Sequence, residues 1–307
     1  MHQIIKQTNF TWIDIKGPTE EDLKYLNKNF KLHPLVLKEI MPCLDFPKLE
    51  KFGDYLFIVL FYPSFNPKTS TIIPLELDII VSKNYIITNH YKDIPPLKYI
   101  FDKCNLYEDQ KMAYMQEGAG QLLYHIIRKI LSGALPKLSQ IKQDIEKAED
   151  KIFKQKKYTQ AVTKISDIQR DIVNFQQIFE PHKIVLENLH REAGHIFDKA
   201  LNPYFSHLIN LYKQVEIIAK SRANALNYLS SANQSLLTTK TNEIIKILTI
   251  FSVVVFPMTF LANFFGMNVE TLPFAFLQEQ HKILLILGLM GIGTIVFLLY
   301  FTRKKWR

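Results

Sequence analysis

Asn242, Thr249, Ser252, Phe256, Thr259 and Asn263 follow one another at intervals of seven, three, four, three and four residues. On a helix turning about 100° per residue they fall within an arc of roughly 100° that ends at Asn242. Phe256 apart, the stripe is small or polar, and it contains no Asp, Glu, Lys or Arg. The residues around it are apolar. A row of neutral oxygens can hydrogen-bond the water shell of an ion without trapping the ion. Just past the stripe stands Gly266-Met267-Asn268. Helix packing through small residues would explain the Ser and Thr equally well. The amides at both ends fit a water-filled path better, because an amide in lipid needs partners.

Such a face needs a helix beneath it. No charged residue occurs from Ile247 to Phe265, nor from Ile283 to Phe301, and each run is 19 residues. That is about the length that crosses ~30 Å of hydrocarbon as a helix. Only helices and closed barrels satisfy their backbone polar groups in lipid. The runs are therefore expected to be transmembrane helices, 246–266 and 283–301. Two buried core helices of a soluble protein are the competing reading. The adjacency of the runs, their C-terminal position and their flanking charge disfavour it. Lys240 and Lys246 precede the first run, and Arg303, Lys304, Lys305 and Arg307 mark a basic tail, 302–307, after the second. Between the runs, Glu270, Glu279, His281 and Lys282 nearly cancel. The positive-inside rule then puts both termini in the cytoplasm and the 267–282 loop outside. Met1-His2-Gln3 does not open a basic-then-apolar leader, so the large N-terminal part is expected to stay in the cytoplasm.

That part divides by texture. Residues 1–112 read as a mixed α/β domain. Trp12 to Ile15 is a short strand, and Glu20 to Asn29 and Pro34 to Ile40 are helices, the second with Pro34 in its first turn. Tyr55 to Phe61, Leu75 to Val81 and Tyr85 to Thr88 are strands, the last two split by a hairpin turn at Ser82-Lys83-Asn84. Continuous apolar strands predict a sheet covered on both faces. Pro63 to Pro74 reads as a loop. Residues 113–245 read as a helical bundle and stalk. Leu123, Ile126, Ile127, Ile130, Leu131, Ala134, Leu138, Ile141, Ile145, Ala148 and Ile152 recur at helical spacing, with a kink or break expected near Pro136. Val162, Ile165, Ile168, Ile172, Phe175 and Phe179 repeat the pattern. From Pro203 no Gly or Pro occurs until Pro257. A helix from there to Phe265 would be about 60 residues and ~90 Å long. It cannot be stable alone, so an oligomeric stalk is expected.

Composition removes other functions. The net charge of +9 could suggest nucleic acid, but part of the excess flanks the membrane runs and no aromatic residues interleave with it. Cys43 and Cys104 show no CxxC spacing, which fits a reducing compartment and neither a disulfide framework nor a zinc site. His90, His125, His182, His190, His195 and His207 are dispersed and read as surface or stalk residues. No Walker motif or catalytic triad occurs, so no enzyme activity and no resident cofactor are expected.

The segment Thr241-Asn242-Glu243, Pro257-Met258-Thr259-Phe260 and Gly266-Met267-Asn268, with the second apolar run and Arg303-Lys304-Lys305-Trp306, closely resembles the CorA family of divalent-cation channels. His33-Pro34-Leu35 and Asp54 to Leu60 resemble it too, so the likeness spans nearly the whole chain. It implies a cytoplasmic α/β/α domain, a long stalk helix continuing into the first span, and a second span outside it. It further implies a funnel-shaped homopentamer in the plasma (inner) membrane, with Asn242, Thr249, Ser252, Phe256, Thr259 and Asn263 lining the pore. The cargo implied is Mg²⁺, with Co²⁺ and Ni²⁺ as further candidates. Gly266, Met267 and Asn268 would form the selectivity motif, in which the Asn268 side chain and the carbonyls near Gly266 meet the ion. Gly266 would allow the tight turn that ends the helix, and Met267 would pack to support it. Glu270 and Glu279 would draw cations to the outer mouth.

The chain departs from the family pattern in places. The loop residue after Pro273 is Phe274, where many members carry an acid. Asn263 and Phe256 stand where the best-known members have glycine and methionine. A family regulatory site pairs two carboxylates across a subunit interface, and the positions aligned with it here are Asn66 and His207. Cytosolic Mg²⁺ sensing would then be weakened, or moved to Asp198, Glu192 or Asp171. Competing readings are a zinc transporter of the same superfamily, which Met267 disfavours, and a non-conducting membrane scaffold whose stalk binds partners.

Overall fold

The computed structural model describes residues 2–7, 10–41, 46–69, 71–267 and 279–303. The chain forms two compact units, Met1–Ser231 and Ala232–Arg307. The change of texture near residue 112 is therefore not a unit boundary.

The first unit is built on a six-stranded sheet. Its strands are β1 (His2–Lys6), β2 (Thr11–Lys16), β3 (Lys48–Phe52), β4 (Tyr55–Asn66), β5 (Thr71–Val81) and β6 (Tyr85–His90), in the order β1-β2-β6-β5-β4-β3. Only β2 and β6 run parallel. Between β2 and β3 lie α1 (Glu20–Phe30) and α2 (Pro34–Glu39). After β6 come α3 (Pro95–Leu106), α4 (Glu108–Met115), α5 (Ala119–Ser132), α6 (Leu135–Phe153), α7 (Tyr158–Phe179) and α8 (His182–Ile196). A 3-10 turn at Lys199–Leu201 leads into α9 (Asn202–Phe265), and α10 (Glu279–Arg303) follows.

Local chemistry sets several boundaries. Thr19 caps α1 in a capping box: its hydroxyl accepts from the Asp22 amide, and the Asp22 carboxylate accepts from the Thr19 amide. The ring of His33 accepts from the Leu35 amide and Pro34 opens α2. The break expected near Pro136 falls at Gly133-Ala134, which places Pro136 in the first turn of α6. A Cβ on Gly133 would sit 2.8 Å from the ring of Pro96 and 3.1 Å from that of Tyr62, so helix and sheet meet there through a bare backbone.

Tyr55 to Pro63 are all buried, as the continuous apolar run predicts. On one face Trp12 meets Phe101 of α3 edge-on, and the Tyr62 hydroxyl donates to the Gly133 carbonyl after α5. On the other, Lys48 bonds Glu39 of α2, Asn174 of α7 donates to the Ile72 carbonyl, and His182 of α8 receives the Phe61 amide. The architecture is α/β/α. The buried Asp78 carboxyl hydrogen-bonds Glu76 on the second face; burial and the neighbouring Glu76 charge push its pKa well up.

Three expectations need correction. Pro63 to Pro74 is mostly strand, with Pro63 facing Pro74 in the β4–β5 ladder. Two prolines can face each other only as a non-hydrogen-bonded pair. The outer neighbours β3 and β6 pair only up to Val59 and from Asp78, so neither missing amide is needed. Val162 is exposed, and Ala161 takes its place on the buried side of α7. His90 and His182 are core residues, not surface ones. The strands β1 and β3, both half-open edge strands with mixed patterns, were not expected.

In its first 30 residues α9 buries Phe205, Leu208, Tyr212, Val215, Ala219, Leu226 and Leu229. Tyr212 stacks on Phe179 at 5.2 Å and donates its hydroxyl to the Glu180 carbonyl. The whole helix is 64 residues, about 96 Å at 1.5 Å per residue. In the second unit its apolar segment is uncovered: Ile247, Leu248, Phe251, Phe256 and Phe260 are all exposed. A soluble core helix would not look like this. Among the described residues α9 is the one helix long and apolar enough to cross a membrane, while the apolar stretch of α10, Leu287–Val296, is shorter.

His182 generates a prediction. Its Nε2 accepts from the Phe61 amide at 3.0 Å and its Nδ1 donates to the Phe179 carbonyl at 3.0 Å, so the ring is neutral by geometry. Burial lowers its pKa to about 4. The unfolded chain, with an ordinary imidazole near 6.5, binds the extra proton first. Stability should therefore fall as pH drops from about 6.5 towards 4, by roughly 2 kcal/mol at pH 5. His182→Gln keeps an acceptor and a donor but does not titrate. The drop in unfolding midpoint between pH 7 and pH 5 should shrink in that variant; equal drops in both proteins would refute the assignment.

Candidate functional site

All six stripe residues lie on α9 and are exposed. The three hydroxyls share one geometry. Thr249 Oγ1 donates to the Ile245 carbonyl at 2.8 Å, Ser252 Oγ to Leu248 at 2.9 Å, and Thr259 Oγ1 to Val255 at 3.0 Å. Each hydroxyl has one proton and two lone pairs. With the proton spent on the carbonyl four residues back, the oxygen presents only acceptor character outward. That suits a hydrated cation, whose shell points its hydrogens away from the ion.

Pro257 adds to this face. Without an amide it leaves the Val253 carbonyl lacking its usual partner. Val253 sits about 20° beyond Asn242 on the helical wheel, so that carbonyl borders the stripe. Phe256 interrupts the polar row and is 75% exposed. Ile245 and Phe260 also fall within the arc or at its edge, so the row alternates wet and dry levels more than the six residues alone suggest.

At the end of α9 the Gly266 amide still donates to the Ala262 carbonyl at 2.9 Å, and Gly266 has no left-handed φ. Gly266 forms a turn directly after Phe265, the last residue of α9. A Cβ at Gly266 would lie 3.0 Å from the Ala262 carbonyl oxygen, and this close approach is where the missing side chain matters. Met267, expected to pack beneath the turn, is 57% exposed, because no described element lies under it. Asn268 and Glu270 lie outside the described residues. Glu279 begins α10.

Asn66 and His207 have separate local partners. Asn66 Oδ1 accepts from the Lys68 amide at 3.0 Å and closes the β4–β5 hairpin. His207 Nδ1 lies 3.2 Å from the Tyr124 hydroxyl. Among the described residues no hydrogen bond or ring contact joins the two. Asp198 caps the 3-10 turn through the Ala200 amide. Glu192 pairs with Lys51 at 3.4 Å. Burial raises the Asp171 carboxyl. Among the described residues no three His, Cys, Asp or Glu side chains come together as a metal site.

Sequence reasoning missed one buried polar chain. Trp12 Nε1 donates to Thr88 Oγ1 at 3.0 Å, the Thr88 hydroxyl donates to Asp14, and His90 Nε2 lies 3.3 Å from Asp14 Oδ2. His90 Nδ1 faces the Lys92 carbonyl at 2.8 Å. Both ring nitrogens thus meet acceptors. Burial works against the charged ring, but the Asp14 carboxylate outweighs it and raises the His90 pKa. The alternation Trp12-x-Asp14 and Thr88-x-His90, on strands that pair in parallel, was the signal for it.

The family model described as CorA-like Mg²⁺ transporter protein matches residues 7–304. The chain is 28% identical to the cobalt/magnesium transport protein CorA of Thermotoga maritima, over 96% of this chain and 83% of that one. It is 24% identical to the putative metal ion transporter YfjQ of Bacillus subtilis, over 96% and 89% of the two chains. Among solved structures, the CorA magnesium transporter from Methanocaldococcus jannaschii superposes with a TM-score of 0.82 at 23% identity, covering 99% of this chain and 93% of that one. With a family match over nearly its full length, the chain belongs to the CorA-like Mg²⁺ transporter family.

Proposed function

We propose that the chain is one subunit of a homopentameric channel that conducts hydrated Mg²⁺ across the plasma membrane, with Co²⁺ and Ni²⁺ as secondary cargo. The observation that carries this reading is the row of hydroxyls on α9 whose protons are turned onto their own helix. Mg²⁺ is small and sheds water reluctantly, so it travels with much of its shell. A wall of acceptors can pass that shell from level to level, whereas a ring of carboxylates would hold the ion too tightly to release it. Asn268 and the carbonyls near Gly266 form the outer ring, and Glu270 and Glu279 concentrate cations before it. No ATP is needed: a divalent ion moving down 100 mV releases about 4.6 kcal/mol, twice the ~2.3 kcal/mol per charge. Five copies supply the neighbours that the uncovered part of α9 lacks. Both termini face the cytoplasm and α10 is the second span.

Three tests follow from this reading. Liposomes holding the purified chain should take up Mg²⁺ faster than Zn²⁺, and Asn268→Ala should abolish uptake while pentamers still assemble. Zn²⁺ uptake alone would favour the zinc reading, and no flux of either ion would favour a scaffold. For topology, a cysteine at Gln278 should be labelled from outside in intact cells and one at Arg307 only after permeabilisation; the reverse pattern removes the assigned orientation.

The third test concerns Phe256. Five phenyl rings at one level of the pore would form a narrow apolar constriction that tends to dewet. Phe256→Ala should raise Mg²⁺ flux per assembled pentamer, and Phe256→Ser at least as much. Unchanged or lower flux in well-assembled Phe256→Ala pentamers would mean that the ring packs against a neighbouring helix and gates nothing.

A further inference from the structure

Between α4, α5 and α9 lies a pocket of about 270 Å³ whose polar lining is Tyr114, His125, Arg128, Lys129, Ser132 and His207. No carboxylate lines it. Arg128 makes no ion pair among the described residues. The Lys129 ammonium lies 4.5 Å above the Tyr99 ring and likewise has no acidic partner among them. Some lysines elsewhere on the first unit do have acidic partners, among them Lys16 with Asp93, Lys48 with Glu39 and Glu50, and Lys51 with Glu192. Here the positive groups gather and acids are missing.

Two helices hold the cluster in place. His125 packs edge-on against Tyr114 at 5.0 Å and Tyr124 at 5.1 Å. The Tyr124 hydroxyl reaches His207 Nδ1. Burial, helped by the nearby Arg128 charge, lowers the His125 pKa, so its ring is held neutral with one N–H to offer. The helix dipole favours cations in a last turn, by about 0.3–1 kcal/mol. This accounts for Lys129 and in part for Arg128, but for neither histidine.

We propose that this pocket binds a small anion bearing two linked phosphate groups. Arg128 and Lys129 supply two full charges, and the two imidazoles supply further polar contacts. The volume lies just below the ~300–1,000 Å³ of sites for drug-sized ligands, so the ligand is compact. A guanidinium fork fits two phosphate oxygens at once.

The test uses the full chain in neutral detergent with EDTA present, titrated calorimetrically with inorganic pyrophosphate, orthophosphate and ADP. Pyrophosphate should bind at least tenfold more tightly than orthophosphate. The double variant Arg128→Gln with Lys129→Gln should weaken pyrophosphate binding at least tenfold with an unchanged unfolding midpoint, because both side chains are exposed. His207→Phe, also at an exposed position, should weaken it as well. ADP binding at or above the pyrophosphate affinity supports a diphosphate ester as the ligand. No heat up to millimolar pyrophosphate, equal affinity for orthophosphate, or undiminished affinity in the double variant overturns the proposal. The readout is binding alone, so it stands or falls separately from ion conduction.

Discussion

A serine or threonine hydroxyl on a helix can donate and accept, and on α9 the donor half is consumed by the carbonyl four residues back. Much else depends on that small interaction. It lets a polar row exist on an apolar helix without unsatisfied donors, which in a membrane would each cost several kcal/mol. It also gives the row one electrical sense. A wall that only accepts matches the outward hydrogens of a hydrated cation and repels the outward lone pairs of a hydrated anion. The Val253 carbonyl, left without an amide by Pro257, has the same sense. Charge selection can thus arise on this face without a single ionised side chain.

The first unit solves a different problem. A sheet whose middle strand is buried on both sides must admit helices on each face without stranding polar groups. Where α8 meets the sheet, a neutral histidine closes the gap, taking the Phe61 amide and giving a proton to the Phe179 carbonyl. On the face that carries Trp12, the Trp12–Thr88–Asp14–His90 chain does similar work around a buried ion pair. The two histidines pull stability in opposite directions with pH. His182 favours neutral and basic solution, whereas the raised His90 contributes a stabilisation that is full below about pH 6.5 and is lost as pH rises through its folded pKa.

The helices named from the sequence were legible because they have a one-sided pattern and a punctuated end, whereas α3, α4 and α8 were not foreseen. Leu123 to Ile152 carry a strict apolar period, and Gly133 with Pro136 shows where it breaks. The central strands were legible as unbroken apolar runs. The edges were not. Pro63 and Pro74 look like loop residues in isolation, and only their partnership across a ladder with free outer sides makes them strand. The stripe on α9 could be counted out on a helical wheel, but the direction of its hydroxyl protons could not, because that depends on backbone carbonyls that any residue supplies. The buried His182 escapes sequence reading, since its partner Phe61 is distant in the chain.

The distribution of charge ties these parts together. The chain belongs to a family of cation transporters yet carries a net charge of +9, at first sight the wrong sign. The excess does not lie on the α9 stripe, which holds no ionised group. Part of it flanks the apolar runs, where lysine and arginine fix orientation. Part gathers beside α5, where Arg128 and Lys129 stand without acids. Exposed charges more than about 8–10 Å from the ion's path are largely screened at physiological salt, so they need not oppose entry. On the reading proposed above, what an approaching ion meets is local: acceptor oxygens along the stripe and the few acids at its outer end. Selectivity and net charge are set by different residues, and for that reason they can have opposite signs.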